Sequence, residues 1–264
     1  MTDSSSAVNL EELKNKWREE QLHLQTKLVL NDDELSFSWC EDEQNFKNLN
    51  LIGGVDLSFH PTDPQLACAN LVILNYPELK VIHKEFSWVQ LTQPYISGYL
   101  AFREVNPLKQ LIDKLRENSP SLVPQVIFVD GNGIYHPMKM GLASHLGVIA
   151  DIPTIGVSKN YLYFDDMNIS NDGIKEKLKR FESTKEYVEL VGKSGFIYGA
   201  ALKPKLELVN PIFVSIGHKA SLSTTIKLVM STSLFRIPEP TRQADLISRQ
   251  LIRDLIKEEQ SKIN

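Results

Sequence analysis

Three acidic residues stand where acids are out of place. Asp56 interrupts an apolar run, GGVDLSF at 53–59. Asp130 closes another, VIFVD at 126–130, before the loop GNG at 131–133. Glu104 falls in PYISGYLAFRE, just ahead of the apolar positions Leu108, Leu111 and Leu115. Aspartate is disfavoured in mid-strand both by propensity and by burial, and a break in a local rule commonly marks function. Three carboxylates brought together form a hard oxygen site suited to Mg²⁺, with Mn²⁺ as an alternative. On its own, an aspartate before Gly-Asn-Gly reads equally well as a turn cap. By the same token His136, His218 after Gly217 and Lys159 at a strand end read as ordinary polar side chains.

The elements that must position these acids follow from periodicity. Leu49–Phe59, Gln65–Asn75 and Leu79–Trp88 read as three strands with short turns, an antiparallel meander. Glu104 has two settings. If a helix starts at Asn106–Pro107, it lies just outside; if the helix starts near Gly98, Pro107 kinks it and Glu104 faces inward. A lone inward carboxylate is costly unless paired or metal-bound. Val126–Asp130 is a buried strand whose carboxyl end, in an open α/β sheet, faces the ligand. A helix is expected over 137–150, with His145 on its apolar stripe as a core histidine. Further elements are a strand at 153–158, a short helix at 173–182, a hairpin of 187–191 with 196–202, a strand at 212–216 and a helix at 222–230. A long helix at 241–260 ends the series. At the start, residues 1–8 read as disordered, 9–30 as a helix and 31–48 as an acidic, irregular connection. Meander, helix and parallel strand in this order set the first and fourth strands side by side, as in the ribonuclease H-like fold, an α/β class with a mixed sheet flanked by helices.

Composition bounds the alternatives. At 264 residues and 42% hydrophobic, the chain can bury one sizeable core, so one domain is expected. A net charge of −4 argues against a nucleic-acid coat working by bulk charge, but not against a local basic groove. Two cysteines, Cys40 and Cys68, give no disulfide framework and fit a reduced compartment, the cytoplasm first, with nucleus or nucleolus as alternatives. The polar, acidic N-terminus is no secretory signal, and no apolar run reaches membrane-spanning length.

The motifs, taken together and in order, resemble the endonuclease V family of inosine-directed nucleases. They are GGVDLSF, PYISGYLAFRE, VDGNGIYHP at 129–137, GLASHLGV at 141–148, PTIGVSK at 153–159, SIGH at 215–218 and FRIPEPTRQAD at 235–245. The resemblance runs from about 50 to 255. Ser97 and Ser158 depart from the commoner pattern, and Ser97 is shared with animal-type members. The resemblance implies Asp56, Glu104 and Asp130 as catalytic, metal-holding acids, with His218 near the attacking water and Lys159 offsetting phosphate charge. It implies a base pocket at Gly98, Leu100, Gly131, Gly133, Leu142 and Gly156, a wedge at Tyr95, and a substrate-binding role for His136, which orients its loop or contacts the nucleic-acid backbone. The implied reaction is cleavage of the second phosphodiester bond 3′ to inosine, leaving a 3′-hydroxyl and a 5′-phosphate. The expected substrate is single-stranded RNA, with deoxyinosine-containing DNA as the alternative, and the protein is expected to be a monomer. Leu57–Ser58 or a nearby backbone carbonyl is the place expected to sense a 2′-hydroxyl. A non-cleaving inosine reader would need a broken acid set, and a junction resolvase would need neither the wedge nor the glycines.

Overall fold

The computed structural model describes residues 4–184 and 186–263. In chain order the elements are α1 (Ser4–Gln25), β1 (Ser38–Cys40), β2 (Asn45–Lys47), β3 (Leu51–Phe59), β4 (Leu66–Asn75), β5 (Val81–Gln90), α2 (Leu100–Asn118) and β6 (Val126–Asp130). They continue with α3 (Leu142–Ala150), β7 (Thr154–Ser158), α4 (Asn171–Lys179), β8 (Tyr187–Val191), β9 (Ile197–Leu202), β10 (Ile212–His218), α5 (Leu222–Ser231) and α6 (Glu239–Ile263).

Eight strands form one mixed sheet in the order β5-β4-β3-β6-β7-β10-β9-β8. The meander is antiparallel, β3–β6 and β6–β7 are parallel, and β10 returns antiparallel to β7. Apolar residues alternate between the two faces, as a strand period of two requires. Val55, Ile127 and Val129 pack under α2 and α3, with Leu108, Ile112 and Leu146. Ile52, Val126 and Phe128 face the other way, toward Leu228 of α5 and Ala244 of α6.

Three sequence expectations shift, and one open alternative is decided. The first helix begins at Ser4 and ends at Gln25, so Ser4–Val8 are helical, Asn9 is not its cap, and residues 1–3 lie outside the described part. The acidic segment 31–48 contains the small hairpin of β1 and β2, whose Phe46 joins the core beside Phe37. Pro137 does not start α3: residues 137–138 lie in a turn, and the helix starts at Leu142 after Gly141. Pro107 lies inside α2, so the longer of the two readings of that helix holds and Glu104 is buried on its inner side.

Candidate active site

The parallel register of β3 and β6 aligns Val55 with Val129, so the next residues, Asp56 and Asp130, leave neighbouring strands at one level. Both are in step with Ile52 and Phe128 and point to the α6 face. Gly54, two residues before Asp56, sets how closely α6 approaches. A Cβ there would lie 2.0 Å from the Pro240 carbonyl oxygen, so only glycine admits the contact. The Asn70 amide, on β4 opposite Asp56, donates to the Ala244 carbonyl at 3.0 Å. These contacts carry Asp245 and Ser248 over Asp56. One carboxylate oxygen each from Asp56, Asp130 and Asp245 lies within 4.8 Å of the others. Ser248 Oγ donates to Asp56 Oδ2 at 2.6 Å, and Ser58 Oγ stands 2.8 Å from Ser248 Oγ.

Lys159, just past the end of β7, places Nζ 2.5 Å from Asp130 Oδ2 and 3.8 Å from Asp245 Oδ1. Its backbone is held in turn: Arg236 Nη2 donates to the Lys159 carbonyl at 2.7 Å and to that of Pro211 at 2.8 Å. Arg249 pairs with Asp245 at 2.7 Å. Glu104 approaches from α2 on the other side of the sheet ends. Burial pushes its carboxyl up to about 8, reinforced by the charges of Asp56 and Asp130 and opposed by Arg103. Burial likewise pushes Asp56 up to about 6; the Ser248 hydrogen bond works against it, and Asp130 and Asp245 add to it. Buried carboxylates that resist ionisation in this way mark a functional site better than a structural one.

The donor set fits a divalent cation. All the converging atoms are carboxylate oxygens, the preferred ligands of a hard ion. Among the described residues, Lys159 and Arg249 are the cations that meet these acids, two against the four carboxyl groups of Asp56, Asp130, Asp245 and Glu104. The acids open into a cleft of about 620 Å³ that also contains Glu104, Lys159, Leu100 and Leu142.

The residues expected to form a base pocket divide into two groups. Leu100 and Leu142 line the cleft, and a Cβ on Gly131 would only touch Leu142, at 3.4 Å. Gly98 has φ +83° and open space where a Cβ would stand, and Tyr95 is 70% exposed on the same loop. Gly133 and Gly156 lie beneath, backbone against backbone. A Cβ on Gly156 would meet Gly133 N at 2.5 Å, and one on Gly133 would meet the Ile216 carbonyl oxygen at 1.9 Å. These two glycines seat the loop after Asp130; they do not offer an open surface. His136 is buried, its Nδ1 accepts from Met138 N at 3.2 Å, and its ring bonds to the backbone of Gly98. It therefore ties the two loops together, and burial pushes it down to about 4. Helix α1 braces the same loops, since Gln21 Nε2 donates to the Gly98 carbonyl at 3.1 Å and Gln25 Nε2 to that of Met138. Trp17 stacks on Phe102 of α2 at 4.9 Å. His145 is a core residue, its ring 4.9 Å from that of Phe102.

His218 is not brought to this cluster. Because β10 runs antiparallel to β7, His218 lies opposite Thr154 at the start of β7, whereas Asp130 pairs with Val157 near its end. Three residues along the strand and two strand spacings across amount to about 14 Å. The ring instead accepts a hydrogen bond from Val29 N at 3.2 Å and anchors the chain after α1. Asp245 takes the place by the acids that the sequence reading gave to His218. It closes the FRIPEPTRQAD motif, and its acidic end was the available signal.

A mixed sheet with acids at the ends of its two central parallel strands, and on the helix crossing them, defines a nuclease of the ribonuclease H-like fold. The chain belongs to the Endonuclease V family, whose family model matches residues 34–246. Human Endonuclease V is 43% identical over 243 residues, covering 92% of this chain and 84% of that protein. The crystal structure of the human enzyme's catalytic domain superimposes with a TM-score of 0.87, covering 94% of this chain and 98% of that one. A Ciona intestinalis Endonuclease V, 32% identical, superimposes with a TM-score of 0.84 over 92% of this chain and 98% of that one. It is described in complex with DNA containing an inosine followed by a ribo-adenosine. The chain is thus an endonuclease, a hydrolase of phosphodiester bonds.

Proposed function

We propose that this endonuclease cuts single-stranded nucleic acid at the second phosphodiester bond 3′ to inosine, with RNA preferred over DNA, leaving a 3′-hydroxyl and a 5′-phosphate. The observation that carries the reading is one continuous cleft joining the acids to Leu100 and Leu142, beside Gly98 and the exposed Tyr95. That layout supports a base held in one place and a phosphate attacked in another, as base extrusion requires. The Ciona complex, with inosine followed by a ribonucleotide, supports the same choice of base and sugar.

Asp56, Asp130 and Asp245, with Glu104 beside them, are the residues that would hold Mg²⁺, or Mn²⁺ in its place. When bound, such an ion polarises the phosphoryl oxygens and lowers the pKa of water. The remaining work belongs to the chain. Ser248 orients the Asp56 carboxylate. Arg236 fixes the backbone of Lys159, whose ammonium offsets the charge that builds on the phosphoryl group. Glu104 keeps its carboxyl proton at neutral pH in the metal-free chain and would have to give it up to help hold the ion. Water adds to phosphorus, the bond to O3′ breaks, and O3′ leaves as a hydroxyl. Tyr95 fills the gap left by the extruded base.

The deciding experiment is cleavage of matched inosine and adenosine strands, as RNA and as DNA, with Mg²⁺ and with EDTA. Inosine-dependent, Mg²⁺-dependent cutting, faster on RNA, is expected. Equal cutting of inosine and adenosine strands would remove the base reading.

A further inference from the structure

The cleft does not end at the acids. Past them it continues between the end of β3 and the second half of α6. Its walls there are apolar, from Phe59, Pro61, Ile252 and Ile256, and Arg249 and Arg253 stand at its rim. Phe59 is 39% exposed, although it closes a strand whose other apolar residues are buried or half-buried. The Arg103 guanidinium lies 5.5 Å from its ring centroid. The loop behind it is fixed, because buried His60 sets Nε2 3.3 Å from Glu259 of α6 and Nδ1 3.2 Å from Thr62 Oγ1. An aromatic ring held on a braced strand end, facing apolar walls with cations at the rim, matches an unpaired base and its phosphate.

We propose that this arm holds the nucleotide immediately 3′ of the bond that is cut, its base against Phe59 and its next phosphate toward Arg249 and Arg253. This rests on the reading of the cleft given above. With inosine at Leu100 and Leu142 and the reacting phosphate at the acids, the Phe59 arm is the part of the cleft left for the strand 3′ of the cut. Hydrolysis joins water oxygen to phosphorus and breaks the bond to O3′. The nucleotide in the arm therefore keeps the phosphate as its new 5′ end, and the arm binds the downstream product.

The test couples one side chain to one base. Inosine strands carry either a normal nucleotide or an abasic residue immediately 3′ of the cut, and kcat/KM is measured for the unaltered enzyme, Phe59→Ala and Phe59→Trp with Mg²⁺. Stacking of a base on an aromatic ring is worth about tenfold or more in affinity. The unaltered enzyme and Phe59→Trp are expected to prefer the normal strand by about that factor. Phe59→Ala is expected to lose the preference and to cut both strands as the unaltered enzyme cuts the abasic one. An abasic residue one position further 3′ is expected to show no coupling to Phe59. Full base preference in Phe59→Ala, or equal coupling at both positions, overturns the proposal. Thermal melting of each variant separates this from misfolding, and Phe59→Trp must still show the coupling. Parallel strands with adenosine in place of inosine distinguish the two readings. Equal cutting of both defeats inosine recognition, while the Phe59–base coupling is still read independently.

Discussion

Ser248, on α6, donates a 2.6 Å hydrogen bond to the Oδ2 of Asp56, on β3, joining two residues separated by 192 positions in the chain. The contact locks the helix to the strand at the level of the acids and favours the charged form of a carboxylate whose pKa burial raises. Removing a residue that orients a metal ligand commonly costs about 10–100-fold in metal affinity or activity. Ser248→Ala is therefore expected to raise the Mg²⁺ concentration needed for half-maximal cleavage by roughly that factor, with Ser248→Thr intermediate. A Mg²⁺ titration that does not move would show that the bond serves packing alone.

Glu104 makes the metal-free protein sensitive to alkali. Its carboxyl titrates at about 8 in the folded chain, against an ordinary 4.5. Between those values the unfolded chain has already released the proton that the folded chain keeps, so stability falls as pH rises and the loss is complete above about 8. Asp56, pushed up to about 6, acts in the same direction at lower pH. His136 and His145, each pushed down to about 4, act in the opposite direction below 6.5. The window from pH 6.5 to 8 thus isolates Glu104. In EDTA the melting temperature is expected to drop across that window and to stay flat in Glu104→Gln. The effect is on the order of a few kcal/mol. Saturating Mg²⁺ is expected to remove the drop in the unaltered protein. A flat profile for the unaltered protein in EDTA would contradict the burial assigned to this side chain.

Which parts of this site the sequence could show depends on how far their geometry is local. Asp56 and Asp130 were legible because an acid inside or at the end of an apolar strand breaks a pattern, and two parallel strands in register need nothing else to bring them together. Asp245 was not. It sits on an amphipathic helix among Arg242, Gln243 and Arg249, where an acid reads as solvated, and only the close approach of Pro240 to Gly54 swings it over the sheet. His218 failed for the converse reason: a histidine ending a core strand resembles a site residue, but the antiparallel direction of β10 sends it to the far end. The three-residue strands β1 and β2 carry too little periodicity to register in an acidic segment. The start of α3 was misread because Pro137 suits a first helical turn, whereas the chain there must first pass beneath Asn132, with Gly141 N donating to the Gly133 carbonyl at 3.0 Å.

Tyr95 offers a test of base recognition that leaves the fold alone, since the side chain is 70% exposed. If it fills the stack vacated by inosine, Tyr95→Ala loses about tenfold or more in binding to inosine strands, from stacking worth about 1–3 kcal/mol. The Mg²⁺ dependence is expected to stay as it was, because Tyr95 does not line the cleft at the acids. Binding of inosine and adenosine strands by fluorescence anisotropy measures the difference. The same preference for inosine in Tyr95→Ala would make it a surface aromatic and nothing more.

The proposed preference for RNA is tested at the sugar next to inosine. A 2′-hydroxyl both donates and accepts a hydrogen bond, so a site built to pair with it leaves buried groups unpaired when it is absent. In the proposed reading the nucleotide between inosine and the cut spans from Leu100 and Leu142 to the acids, in a cleft that Leu57 and Ser58 also line. Ser58 Oγ already lies 3.3 Å from Asp56 Oδ2 and 2.8 Å from Ser248 Oγ, so the candidate partner is a backbone group of Leu57 or Ser58 on the β3 edge away from β4, past the point where β6 pairing ends at Val55. One ribonucleotide is placed at each position in turn around inosine in a DNA strand, and cleavage is followed under single-turnover conditions. Recovery of the RNA rate is expected with the ribonucleotide just 3′ of inosine and at no other position. Replacing one lost hydrogen bond, at about 1–3 kcal/mol, corresponds to roughly 5- to 150-fold in rate. Ser58→Ala is expected to leave that ratio unchanged if the backbone makes the contact, and to reduce it if the hydroxyl does. Equal rates for the all-DNA and all-RNA strands would instead make deoxyinosine in DNA the natural substrate.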